Sequence, residues 1–140
     1  MEPNYSPRPK LAVVAAAVAV LFGGMTLFSG GSVLFIDGPA RAAAGAYLPL
    51  VLWFNFLAGF AYIIAGVGLY LWRGWAVTLS LAIAGATLAV FAIFGWHILG
   101  GGEYETRTLG AMALRSAVWL AIGLYARYAW TGKARKGVAA

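Results

Sequence analysis

The side chains able to do chemistry in this sequence are few, and they fall into two groups. The first is a possible divalent-metal set: Asp37, the single histidine His97, Glu103 and Glu105. One imidazole with carboxylates suits manganese, iron or zinc, although the spacing His97-x5-Glu103-x-Glu105 follows no established metal signature. Glu103 and Glu105 also form a carboxylate pair. Two residues apart between apolar runs, they have no enforced geometry for acid–base work. Cysteine is absent, which removes disulfides, thiolate ligands and thiol redox chemistry.

The second group is Asn55, His97 and Arg115, polar residues carried inside or at the edge of strongly apolar runs. An ionisable group within such a run needs a partner or a wet cavity. For Arg115 the structural explanation is a snorkelling side chain paired with Glu103 or Glu105; the functional one is an anion-attracting group in a pocket. Asn55 suits an interhelical hydrogen bond, and His97 an interfacial hydrogen bond. Glu103 and Glu105 also precede an apolar run, where negative charge favours a helix N-terminus.

The elements that must position these residues follow from the distribution of charge. Of 140 residues only ten are Lys or Arg and four Asp or Glu, while 63% are hydrophobic. A bilayer core of about 30 Å requires about 20 apolar residues per helix. Four runs meet that length, at 11–35, 48–72, 75–99 and 109–130. The expectation is an all-α, integral membrane four-helix bundle with a tail at 1–10 and a basic tail at 131–140. Run 11–35 exceeds the roughly 7–15 residues of a signal-peptide core, so it reads as a retained crossing.

Arg8, Lys10, Arg73, Arg127, Lys133, Arg135 and Lys136 collect at one side of these runs. By the positive-inside tendency both termini are cytoplasmic, with loops 36–47 and 100–108 outside. The net charge of +6 then serves anionic lipid rather than nucleic acid. On this topology Asn55, His97 and Arg115 lie in the outer third, together with Ser29 and Ser32. Arg115 is about 10 Å below the outer end at 1.5 Å per residue. Thr78, Ser80 and Thr87, deeper in the third run, are expected to bond back to their own helix. Trp53, Trp72, Trp75, Trp96, Trp130, Tyr47, Tyr104 and Tyr128 read as interfacial belts.

Close helix approach in lipid needs small residues four apart. Candidate stripes are Ala15, Ala19 and Gly23; Ala61 and Ala65; Ala82 and Ala86; and Ala113, Ala117 and Ala121. The turn Arg73–Gly74 makes the second and third runs antiparallel neighbours. An internal echo pairs Gly68-Leu69-Tyr70 and Trp75 with Gly123-Leu124-Tyr125 and Trp130, at identical spacing.

Residues 59–82, GFAYIIAGVGLYLWRGWAVTLSLA, resemble the second-to-third helix region of DoxX-like membrane proteins. There a glycine-spaced helix ends in a short basic turn and an Ala-rich helix follows. The resemblance implies a small bacterial inner-membrane protein, some relatives being membrane subunits of quinone-linked sulfur oxidation. Those proteins tend to carry an acidic residue in the second helix, where this chain has Asn55.

Three functions are open at this point. The first is a structural or accessory protein without catalysis that associates with lipid and with other membrane subunits or with itself. The second is a subunit binding a quinone head group or small anion at Asn55, His97 and Arg115, with Glu103 and Glu105 nearby. The third is metal handling at the outer face. No cofactor is specified by the sequence.

Overall fold

The computed structural model describes residues 9–36, 38, 39, 42, 45 and 49–139, with side chains described as far as Gly132. Four helices occupy nearly all of it: α1 (Lys10–Phe35), α2 (Pro49–Tyr70), α3 (Gly74–Leu99) and α4 (Thr106–Ala139). All four are long and apolar enough to span a membrane, the spanning part of α4 ending at Gly132. The shortest, α2, has 22 residues and is therefore about 33 Å long.

The chain ends these helices by identifiable local chemistry. Pro49 opens α2, where its missing N–H is one of the donors a first turn leaves unpaired anyway. At the end of α3, Gly102 N–H donates to the His97 carbonyl and Gly101 N–H to Ile98. Gly101 takes φ +82°. That is a Schellman ending with glycine in the left-handed position.

The end of α2 repeats the pattern with a different residue. Arg73 N–H donates to Gly68 and Trp72 N–H to Leu69, and Trp72 itself adopts φ 51°. A non-glycine residue there costs roughly 1 kcal/mol or more. The buried Trp72 ring packs edge-on against Trp130, centroids 5.7 Å apart, which offsets that cost. The reversal thus falls on Trp72, and Gly74 already belongs to α3.

The fourth helix is longer than expected. It starts at Thr106 and continues without a break through the basic segment to Ala139, so the backbone of 131–139 is helical. Thr131 bonds back to the Arg127 carbonyl at 2.9 Å, and Lys, Arg and Ala are strong helix formers.

The main helix pairings are sequential, α1 with α2, α2 with α3 and α3 with α4. The tightest is α1 on α2, antiparallel. A Cβ on Gly23 would lie 2.8 Å from the Gly59 carbonyl oxygen, and one on Gly66 would lie 3.0 Å from the Ala16 carbonyl oxygen. The buried face of α1 runs Ala12, Ala16, Ala19, Gly23, Thr26, Gly30. Two members of the expected stripe, Ala19 and Gly23, are on it.

On α3 and α4 the expected small-residue stripes face outward instead. Ala82, Ala86, Ala113, Ala117 and Ala121 are all exposed. Those helices bury Phe94, Met112 and Trp119, each at most 1% exposed. Large side chains fill the space between these backbones, so alanine is left for the periphery. The echo glycines do share a setting. Gly68 packs against Ala76 and Trp75, and Gly123 against Ser80 and Leu81, all in the first half of α3.

Apolar side chains dominate the exterior as well. Leu21, Met25, Phe28, Trp96, Leu99 and Leu124 are more than half exposed. Such a surface aggregates in water and is stable against lipid tails.

The glycine contacts generate a paired test. Gly23→Ala should lower unfolding stability in detergent by about 1–3 kcal/mol through overpacking against α2. Gly24→Ala, where an added Cβ meets nothing within 4 Å, should be neutral or stabilising by up to about 1 kcal/mol. Equal effects at the two neighbours would refute the close α1–α2 approach.

Candidate functional site

The apolar interior is divided into two clusters. Val51, Val90, Phe94 and Met112 form one, with Phe54, Phe91, Ile98 and Leu109 packed against it. It lies toward the end carrying the C-terminus of α1, the start of α2 and the α3–α4 connection at 100–105. The larger cluster includes Ala58, Ala61, Tyr62, Ile83, Ala84, Val118 and Trp119 and extends to the turn at Trp72.

Between the clusters each of three helices places a polar residue. On α2, Asn55 falls between Phe54 and Ala58; on α3, Thr87 falls between Ala84 and Val90. On α4, Arg115 and Ser116 fall between Met112 and Val118. The result is a polar layer crossing α2, α3 and α4.

The layer reaches into the larger cluster through two rings. Tyr62 and Trp119 are wholly buried and stack at a tilt of 34°, centroids 4.8 Å apart. The Tyr62 hydroxyl sits beside Thr87 and in the field of the Arg115 guanidinium, short of hydrogen-bond geometry with either. Tyr62 follows Asn55 by two helical turns on one face of α2, and Trp119 follows Arg115 by one turn on α4, so helical periodicity aligns both pairs.

Hydrogen-bond accounting sets this layer apart. Asn55 Oδ1, Tyr62 Oη, Thr87 Oγ1, Arg115 Nε and Trp119 Nε1 are buried without a hydrogen-bond partner. Buried polar groups are ordinarily satisfied, and leaving one unmade costs about 1–3 kcal/mol. Other hydroxyls in these helices are satisfied locally: Ser80 donates to the Ala76 carbonyl at 2.8 Å and Ser116 to Met112 at 2.8 Å. Thr87 was expected to do the same as Ser80. Its hydroxyl instead lies next to Tyr62.

The remaining candidates are placed elsewhere. His97 is half-buried near the end of α3, its Nε2 3.0 Å from the Glu103 carbonyl oxygen and its ring against Gly102. That contact pins the α3–α4 connection. Glu105 stands just before α4, where its carbonyl accepts from Thr108 N–H at 3.0 Å and its carboxylate packs against Gly45.

Neither Glu103 nor Glu105 pairs with Arg115. The titratable group coupled to that guanidinium is Tyr62. The snorkelling ion pair is therefore not formed among the described residues, because Arg115 reaches toward the interior instead of the loop. Asp37 lies outside the described residues, and among those described no three His, Asp or Glu gather as metal ligands.

Of the residues singled out by sequence, Asn55 and Arg115 thus occupy the layer between the two clusters, and His97 lies beyond the loop-end cluster. Tyr62, Thr87 and Trp119 were missed as site residues. A signal was available for the two rings. Both lie mid-run, far from the helix ends where belt aromatics belong, and a Tyr hydroxyl or Trp N–H at that depth needs a partner.

The Arg115 Nε, buried without a partner, should weaken the fold. Arg115→Met, similar in length and uncharged, should raise unfolding stability in detergent by about 1–3 kcal/mol; a loss of stability would mean that Arg115 is a structural tie. Comparisons with protein-family models, curated proteins and solved structures find no match, so the chemistry of the layer rests on its own side chains.

Proposed function

We propose that this chain is a small multi-pass protein of a bacterial inner membrane, a four-helix bundle with both termini cytoplasmic. Its function in this reading is to bind a small polar ligand, a quinone head group or small anion, in the layer formed by α2, α3 and α4. The single observation that carries the reading is the set of five buried polar atoms without hydrogen-bond partners on α2, α3 and α4, four of which belong to the neighbours Tyr62, Thr87, Arg115 and Trp119. A protein that served only as a scaffold would gain stability from apolar residues at those positions.

The orientation is supported by Arg8, Lys10, Arg73, Arg127 and the basic end of α4, all on the side of the termini and the Trp72 turn. The resemblance of residues 59–82 to DoxX-like proteins is in keeping with a small ligand-binding membrane subunit. Relative to the sequence expectation, the site moves away from His97, Glu103 and Glu105 toward Tyr62, Thr87 and Trp119. Thr87 and Trp119 stand at the middle of their spans, with Asn55 and Arg115 nearer the loop end.

The reading assigns recognition to these residues and no catalytic step. The accessory function, in which the protein binds only lipid, other membrane subunits or a second copy, is the competing outcome of the test. Native mass spectrometry of the detergent-extracted protein should show a copurifying small molecule that is depleted in Tyr62→Phe/Asn55→Leu. A defined protein partner with no small molecule, unchanged in that variant, would establish the accessory function instead.

A further inference from the structure

We infer that the group recognised in the layer is a small monovalent anion, held against Arg115 beside the stacked Tyr62 and Trp119 rings. The inference rests on the ligand-binding reading and specifies its chemistry.

Charge is the first consideration. Guanidinium does not deprotonate in proteins, so Arg115, half-buried with its Nε enclosed, cannot lower its cost by becoming neutral. It needs a counter-charge within the low-dielectric interior. No carboxylate supplies one among the described residues. Glu103 and Glu105 sit at the loop end, and among the described residues the ionisable group facing Arg115 is Tyr62, whose ordinary form is uncharged. Arg115 contributes one positive charge and the other layer members none, so a ligand with a single negative charge leaves the layer neutral.

The hydrogen-bonding inventory agrees with the charge. Among the unpartnered atoms, Arg115 Nε and Trp119 Nε1 can only donate, and the Tyr62 and Thr87 hydroxyls can donate or accept. Asn55 Oδ1 alone only accepts. This donor excess suits an anion's lone pairs. A neutral quinone carbonyl would satisfy one or two of the donors and leave the positive charge uncompensated.

The walls refine the class. Tyr62 and Trp119 are wholly buried aromatic surfaces, so an anion entering the layer sheds its water. Weakly hydrated monovalent anions such as nitrate and thiocyanate lose least on doing so and a carboxylate loses more, whereas sulfate carries a second charge and a still firmer hydration shell. The carboxylate could belong to a free small acid or to the head group of a fatty acid; the shared chemistry is one negative charge on a planar group. Arg115 is the one half-buried member of the layer, so its side chain marks the route by which the anion arrives.

The test is thermal unfolding of the full chain in uncharged detergent, titrated separately with nitrate, thiocyanate, acetate and decanoate, with sulfate as control, all at constant ionic strength. Wild type should show a saturable rise in midpoint with the monovalent anions and none with sulfate. Arg115→Gln should lose the response. Trp119→Phe, which keeps an aromatic ring and the Arg115 charge but removes the indole N–H donor, should weaken the apparent affinity by about tenfold. Trp119→Phe also serves if Arg115→Gln does not fold.

A response to decanoate alone assigns the anion to a lipid carboxylate, and a response to the inorganic anions as well assigns it to a free ion. Both support the inference. An equal response in wild type and both variants is a general salt effect and overturns it. Stabilisation by benzoquinone with none by any anion overturns the inference but leaves the ligand-binding reading standing. No response to anion or quinone overturns both.

Discussion

Inside a bilayer no water is available to complete a hydrogen bond, and every polar atom placed there must find its partner within the protein or in something the protein binds. Most of this molecule obeys that constraint in the simplest way. The helices satisfy their own backbones, Ser80 and Ser116 fold back onto theirs, and the rest of the buried surface is largely Ala, Gly, Val, Ile and Trp. Among the described residues the departure falls on α2, α3 and α4, about where the interior splits into two apolar clusters. Its location gives the departure its meaning, since an unsatisfied group near a helix end could be reached by headgroups or water and Thr87 and Trp119 cannot.

The layer also depends on how the helices are spaced. Gly23, Gly59 and Gly66 bring α1 and α2 so close that an added Cβ would strike the opposite helix. No room remains between those two for a functional group. Between α2, α3 and α4 the spacing is set by large rings, with Tyr62 stacked on Trp119 and Trp72 against Trp130. Bulky aromatic walls hold the backbones apart, and the gap between them is where polar side chains can meet. α1 is thus a brace for α2, and the other three helices carry the chemistry.

Particular residues show how far the sequence could be read. Arg115 and Asn55 stood out because a polar group inside a long apolar run carries its own explanation for notice. Tyr62 and Trp119 did not, because in a chain with six Trp and seven Tyr the interfacial belt accounts for most of them. Only their depth distinguished them. Thr87 could not be separated from Ser80 by sequence, since either hydroxyl can bond to its own helix. Its rotamer is decided by what the neighbouring helices leave room for, and here that is Tyr62. The alanine stripes illustrate the same point. Ala82 and Ala113 have the spacing of a packing face, yet alanine recurs so often that several stripes fit each helix.

By itself, then, the sequence determined the helices. Four apolar runs of bilayer length, ended by proline, glycine and charge, fold as helices whatever surrounds them, since backbone satisfaction in lipid permits little else. It also determined which few residues would be costly to bury. Tertiary structure alone decided which of those residues meet. Arg115 turns toward Tyr62 and not toward Glu105, His97 is spent on the α3–α4 connection, and Thr87 leaves its own helix for the layer. These outcomes depend on the rotation of each helix about its axis, and rotation is set by how large and small side chains from different helices fit together. Periodicity within one helix does not contain that information.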